Sequence, residues 1–312
     1  MILCIGPTPA EQRVMIFRSL KLDAVNRAIK TLDGAAGKST NVSKALAALG
    51  EQVTATGFLG GERGERLLSI LQPRGIRCDF VDIGFTRLCI TVIDESNGTQ
   101  TELVQESQAV EPSHYQQLEN IVRTQLKTCE AVIMSGTLTP GGPADFYFRC
   151  TQLANAAGAL AVIDAQGPPL IETLRASPGL VKPNRLELAS SLGKNLDTDS
   201  ELMRSMRELH ELGAKRIVIT AGKQPAFAFD GTTFWRVFAP RVKAVNPIGS
   251  GDCFTAALVW RLLQGDDLGE ASRWGTAAGT ANVLTTLAGE IEKSEVERLL
   301  GDARIEKISG EL

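Results

Sequence analysis

A chain of 312 residues, 43% hydrophobic and 22% charged, has enough material for a buried core and reads as an ordinary globular protein. Its net charge of -3 gives no electrostatic reason to expect a nucleic-acid or anionic-membrane partner, which generally requires a basic surface. Six scattered cysteines without a C-x-x-C pair, and only two histidines, His114 and His210, argue against a disulfide framework, a histidine-rich metal site and a histidine-based triad.

In chain order, "MILCIG" is a short apolar run that meets Pro7 and Pro9 at once and lacks a basic leader, so it is expected to be a first strand in a cytoplasmic protein, not a signal peptide. No run approaches the roughly 18 apolar residues of a membrane span. Residues of about 13–36 and 85–110 read as extended strands without crossover helices, the second carrying an Asn97-Gly98 hairpin signal. Two such insertions would pair into a small sheet flanking a main domain that otherwise takes in the whole of 1–312. A flanking sheet of this kind suits a lid, because closing over a site expels water. Between them, "VTATGF" at 53–58 lies between helical patterns near 41–49 and 64–72.

From Glu130 onward, "AVIMSG", "LAVIDA", "GLVKPN" and "RIVITAG" alternate with helical periodicity at 143–157 and 198–212, where Leu202, Met206, Leu209 and Leu212 form one stripe. Alternation of this kind implies a mainly parallel sheet with helices on both faces, a three-layer α/β fold. "FAFDGTTFW" adds a hairpin through Asp230-Gly231.

Two stretches carry chemistry. "DGAAGKSTN" at 33–41 ends like a nucleotide P-loop, but the glycine needed five positions before Gly37 is Leu32, so that reading fails. "VNPIGSGDCF" at 245–254 brackets Ser250 with Gly249 and Gly251, then sets Asp252 at the start of an apolar helix. Glycines let backbone N–H groups approach an anion, and the helix start directs its own N–H groups and dipole to the same point. By itself this stretch reads either as an anion site with a carboxylate beside it or as an ordinary capped helix start.

In "NPIGSGDCF" the sequence resembles the signature of the ribokinase and phosphofructokinase-B sugar kinases. "LKLDAVNR", "AGKSTNVSKAL", "GFLGGERGE", "TRLCI" and "VKPNRLEL" follow the order of the 1-phosphofructokinase and tagatose-6-phosphate kinase branch. The resemblance spans essentially the whole chain. It implies a ribokinase-like αβα domain with a small β lid, and ATP and Mg2+ as cofactors. Asp252 would be the base for the attacking hydroxyl, with Gly249, Ser250 and Gly251 stabilising the transferred phosphoryl. An aspartate at a positive helix end is expected to be a weak base, which suits a largely dissociative transfer. Asn184 and Glu187 would support the metal, Glu187 through water, and the nucleotide phosphates; a plain helix start is the other reading of that pair. Thr220 and Gly222 would lie at a nucleotide-side turn, although Pro225 stands where glycine is usual. Asn282 would lie beside the adenine or be a buried helix polar. Gly37, Lys38 and Asn41 would form the substrate loop, Asn41 on sugar hydroxyls, with Lys38 and Arg87 clamping the substrate's own phosphate.

The acceptor end departs from the family pattern. Gln12 stands where a substrate-binding aspartate is usual, Thr8 where asparagine is, Ala36 and Ser39 where loop glycines are, and Leu88 where an asparagine often follows the arginine. Side chains at the former glycines are expected to narrow the approach. The sequence therefore implies an ATP-dependent kinase of a hydroxymethyl group on a sugar phosphate, of the fructose 1-phosphate or tagatose 6-phosphate type. Its rivals are a non-catalytic sugar-phosphate-binding protein on the same scaffold and a kinase of an unphosphorylated sugar or nucleoside. A strand-built lid could also pair two copies into a homodimer.

Overall fold

The computed structural model describes residues 1–308. In the first third of the chain, β1 (Ile2–Gly6), β2 (Ala10–Phe17) and β3 (Lys30–Ala36) lead into α1 (Lys38–Ala48). Then come β4 (Val53–Leu59), α2 (Gly61–Leu71), the two-residue strands β5 (Arg77–Cys78) and β6 (Val81–Asp82), and the hairpin β7 (Arg87–Asp94) and β8 (Thr99–Val104). The middle alternates α3 (Pro112–Gln125), β9 (Ala131–Ser135), α4 (Phe146–Ala156), β10 (Leu160–Asp164), α5 (Pro168–Leu174), β11 (Leu180–Val181), α6 (Arg185–Leu192) and α7 (Asp199–Glu211). The last third holds β12 (Ile217–Ala221), β13 (Gln224–Phe229), β14 (Phe234–Phe238), α8 (Ser250–Leu263), α9 (Leu268–Val283), α10 (Lys293–Leu300) and β15 (Arg304–Ile308).

The large sheet runs β15-β14-β13-β12-β11-β10-β9-β1-β4-β5, with β6 also on β4. It is parallel from β12 through β5 and antiparallel among β12 to β15. Strand alternation divides the core: Ile2 and Cys4 face one apolar cluster with Leu46, Leu67 and Leu258, while Leu3 and Ile5 face another with Leu118, Phe146 and Met206. Helices α1, α2, α8, α9 and α10 thus cover one face and α3 to α7 the other, giving the expected three layers. Among the described residues no helix is long and apolar enough to cross a membrane.

The two strand-rich insertions pair into a separate sheet of order β3-β2-β7-β8, in which β2 and β7 are parallel. Its bounds differ from the expected ones. The first strand begins at Ala10, residues 18–29 form a connection, and the sheet ends at Val104. The exposed loops carry too little apolar alternation to extend the ladder. β15 was not legible in the sequence; it is a short, half-exposed strand completed only by its partner β14.

β1 is where successive crossovers reverse direction, since β4 pairs on one side of it and β9 on the other. Crevices at the carboxyl ends of parallel strands at such a point are the usual ligand sites of open α/β sheets. Here that edge gathers Thr8 after β1, Asp164 at the end of β10, and Lys182 and Asn184 after β11.

Candidate active site

Asp252 sits in the first turn of α8, only 7% exposed, behind Gly249 at φ +86°. The turn needs glycine at 249 for space as well as for φ: a Cβ there would lie 2.7 Å from the Gly289 nitrogen. Ser250 N–H donates to the Pro247 carbonyl at 3.2 Å, and the N–H groups of Asp252 and Cys253 donate to the Gly249 carbonyl at 3.1 and 3.0 Å. No backbone carbonyl among the described residues takes the Gly249 or Gly251 N–H. The expected three-donor cradle therefore reduces to two, because the Ser250 N–H is spent closing the turn.

Two segments far away in sequence reach this point. Asn41, in the first turn of α1, donates from Nδ2 to Asp252 Oδ2 at 2.7 Å, while its own Oδ1 is buried without a partner. At the end of β10, Asp164 is 1% exposed and accepts from Lys38 Nζ at 2.9 Å through Oδ1 and from Lys182 Nζ at 3.0 Å through Oδ2. Thr255 Oγ1 lies 2.9 Å from the same Oδ2. Lys38 also donates to Glu187 Oε1 at 2.8 Å. Lys182 is close enough to the cradle that a Cβ on Gly251 would stand 3.9 Å from its Nζ.

The charges set one another's protonation. Burial raises Asp164, but the Lys182 and Lys38 ammonium groups outweigh it and hold the carboxyl at about 2. Asp252 goes the other way: burial, reinforced by the Asp164 charge, pushes it up to about 7 against Lys38, the Asn41 hydrogen bond and Lys182. Burial and the Asp164 charge thus act in the opposite direction to a helix N-terminus, which favours the ionised carboxylate. Although burial works against it, Lys38 is held protonated, above its ordinary value, by Asp164, Glu187 and Asp252.

The remaining expected residues divide. Asn184 caps α6 in a reciprocal box with Glu187, each bonding the other's backbone N–H at 2.8 Å, and also bridges Thr220, which brings β12 and the Gly222 turn alongside. At Gly222, φ +59°, nothing lies within 4 Å of a would-be Cβ, so this turn faces open space. Arg87 Nε donates to the Thr8 carbonyl at 3.1 Å, beside a small cleft lined by Thr8, Ser107, Gln108 and Thr139. Gln12 Oε1 accepts from the Ala288 N–H at 3.2 Å, 1% exposed. Gly37, φ +103°, brings the loop against Pro9, where a Cβ would meet Cα at 2.9 Å.

Four further positions differ from the sequence reading or choose between its alternatives. Lys38 is engaged with Asp164 and Glu187 next to Asp252 instead of standing free for a substrate phosphate. Asn282 is fully buried, its Nδ2 bracing the following turn through the Leu287 and Glu290 carbonyls at 3.3 and 3.4 Å, so it has no surface to offer an adenine. Ser39 does not narrow the approach, because its hydroxyl packs against Gly6 of β1. Leu88 pairs with Glu11 on the face opposite Gln12; by strand alternation Cys89, which pairs with Gln12, occupies the inner face instead.

Sequence reading missed Asp164, Lys182, Lys44 and Gly289. A lysine at the end of the apolar run "GLVKPN" was the available sign for Lys182. The others look ordinary in sequence and acquire partners only through packing across the sheet.

Hard oxygen donors beside an anion cradle fit a phosphate-bound Mg2+, and Asp164 and Glu187 already share one cation between them. Among the described residues no cluster of three or more His, Cys, Asp or Glu side chains placed to hold a metal occurs.

The α/β fold with a separate small sheet and the glycine turn that sets Asp252 beside two free backbone N–H groups are matched by known proteins. Residues 2–294 match the pfkB family of carbohydrate kinases, and the chain belongs to that family of enzymes. It is 32% identical over 313 residues to a 1-phosphofructokinase of Borreliella burgdorferi, covering 99% of each chain. Phosphofructokinase-2 of Escherichia coli, solved with fructose-6-phosphate, superposes with a TM-score of 0.86 at 26% identity over 96% of this chain and 98% of that one. A possible 1-phosphofructokinase of Thermotoga maritima shares the fold at a TM-score of 0.91 and 24% identity, covering 99% of this chain and all of that one.

Proposed function

We propose that this enzyme transfers the terminal phosphoryl group of ATP to a hydroxymethyl group of a sugar phosphate of the fructose 1-phosphate or tagatose 6-phosphate type. The observation that carries the reading is the meeting of Asp252 with Asn41 at the glycine turn of α8. Full-length likeness to a 1-phosphofructokinase supports the choice of acceptor.

Asp252 Oδ2, aimed by Asn41, accepts the proton of the attacking hydroxyl; burial and the Asp164 charge raise its pKa, which makes it a stronger base than an ordinary aspartate. The N–H groups of Gly249 and Gly251, with the ammonium groups of Lys38 and Lys182, stabilise charge on the phosphoryl oxygens as the bond to the leaving group lengthens. Glu187, through water, and Asp164 would hold a Mg2+ there, which would supply neutralisation of phosphate charge. Thr220 and Gly222 border the nucleotide. Arg87 takes the acceptor's existing phosphate as a bidentate donor in the cleft beside Thr8. With its oxygen committed to Ala288, Gln12 presents an Nε2 donor to an acceptor oxygen, a neutral substitute for a carboxylate.

A coupled ADP-release assay over a panel of sugar phosphates tests the reading. Asp252→Asn is expected to lower kcat about 100-fold or more. Lys38→Met should act on kcat, and Arg87→Ala mainly on the KM of the sugar phosphate. A panel on which wild type does no better than Asp252→Asn sinks the proposal, and an Arg87→Ala enzyme with unchanged KM sinks the assignment of the clamp.

We also propose that two copies pair through the small sheet. Leu22 is 92% exposed and Val25 82%, Ile29 lies on the same connection, and β8 is an edge strand with Leu103 and Val104 exposed. Light scattering should give a dimer that Leu22→Asp with Leu103→Asp converts to monomer; a monomeric wild type refutes it.

A further inference from the structure

Lys44 lies in the second turn of α1, on the face opposite solvent, and is 2% exposed. Its ammonium donates to the Ala35 carbonyl at 2.6 Å and to the Ala288 carbonyl at 2.5 Å, with Glu290 Oε1 at 3.4 Å. Arg74 holds the other Glu290 oxygen at 2.7 Å. Burying an ammonium is costly, and an apolar side chain of similar length would pack here without that cost. Burial pulls Lys44 below the ordinary lysine range and Glu290 opposes it, so an amine at this position is explained by the carbonyls and carboxylate it joins.

Ala35 is the next-to-last residue of β3, at the root of the small sheet and two residues before the Gly37 turn. Ala288 belongs to the turn after α9, and that turn touches Gln12, the loop before the glycine turn, Asn41 and Gly249. The Ala288 N–H bonds Gln12 Oε1, and the Thr286 carbonyl accepts from Asn246 Nδ2 at 2.9 Å, in the loop leading to the anion cradle. Gly289 packs so closely on Asn41 that a Cβ would stand 2.7 Å from its Cα, and the Gly289 nitrogen closes on Gly249. The turn thus abuts the acceptor-facing amide, the partner of Asp252 and the glycine cradle together.

We infer that Lys44 is a positioning residue that locks the 285–290 turn and the root of β3 onto α1, keeping Asn41, Asp252 and the Gly249 turn in register. This rests on the phosphotransfer reading for its kinetic consequence but not for its structural one. Displacement of reacting groups by about 1 Å costs on the order of 100-fold in rate.

The test compares wild type, Lys44→Met and Lys44→Arg by turnover and by amide hydrogen exchange. Lys44→Met should lower kcat roughly 10- to 100-fold, with both KM values within about threefold of wild type. Lys44→Arg, which keeps a cation able to bond both carbonyls, should recover most of that loss. In Lys44→Met the amides of 34–37 and 286–290 should exchange at least about tenfold faster while those of β9 and β10 stay protected. A kcat within threefold of wild type, a loss confined to KM, no recovery with arginine, or unchanged exchange at 286–290 each overturns the inference. Should Lys44→Met not fold, Lys44→Gln, one atom shorter and still polar, carries the same expectation. If wild type phosphorylates nothing on the panel, the proposed reaction falls and the exchange data alone decide the tether.

Discussion

Replacing Asn41 by leucine, of similar size, removes the 2.7 Å hydrogen bond that favours the ionised form of Asp252. A hydrogen bond to a charged group contributes about 1.5–3 kcal/mol, and one pKa unit is about 1.4 kcal/mol, so the shift is roughly one to two units. The carboxyl should move upward from its already raised value of about 7. At pH 7 the ionised fraction then falls from about one half to between about one tenth and one hundredth, an activity loss of roughly five- to fiftyfold from ionisation alone. Toward pH 9.5 that part of the loss should largely vanish, leaving only the pH-independent loss of whatever Asn41 Oδ1 does for the acceptor. The assay is kcat/KM between pH 5.5 and 9.5 by coupled ADP release, which reports groups of the free enzyme. The substrate's own phosphate, titrating near pH 6, contributes a limb common to both enzymes. An acidic limb that stays in place, or moves downward, in Asn41→Leu would refute both the tuning of Asp252 and its role as the base.

Asp252 has a stability consequence of definite sign. Because its folded pKa lies above the ordinary value of 3.8, the native state is favoured at low pH and loses that advantage as pH rises through about 7. Asp252→Asn should therefore be more stable than wild type at pH 8, by on the order of 4 kcal/mol, with the gap closing toward pH 4 in urea unfolding; a gap independent of pH counts against the raised pKa. Gly289→Ala should cost about 2–4 kcal/mol and impair turnover, since its φ of +72° and its contact with Asn41 both resist a Cβ. Gly50→Ala, at φ +97° but with open space around it, should cost only about 1 kcal/mol, so equal losses in thermal unfolding at the two sites would dismiss the contact with Asn41 as the cause.

Much of this protein is written in short-range pattern. Apolar runs of strand length alternating with 3.6-residue periodicity specify the layered sheet, Asn97-Gly98 and Asp230-Gly231 mark their hairpins, and the glycines around Ser250 place Asp252 at a helix start whatever the rest of the chain does. These features depend on residues within a few positions of one another, so the sequence alone determined them. The partners of Asp252 are of another kind. Asn41 is 211 residues away from it, and Asp164 meets Lys38 across 126 residues. Their meeting depends on which strands neighbour β1 and where the crossovers reverse. For the same reason the tertiary structure alone decided that Lys38 faces Asp164, that Asn282 braces a turn, that Ser39 points into β1 and that a lysine in the middle of α1 is buried. A side chain's type limits the bonds it can make, but its pKa and its partner are set by the desolvation and charge that distant segments bring to it.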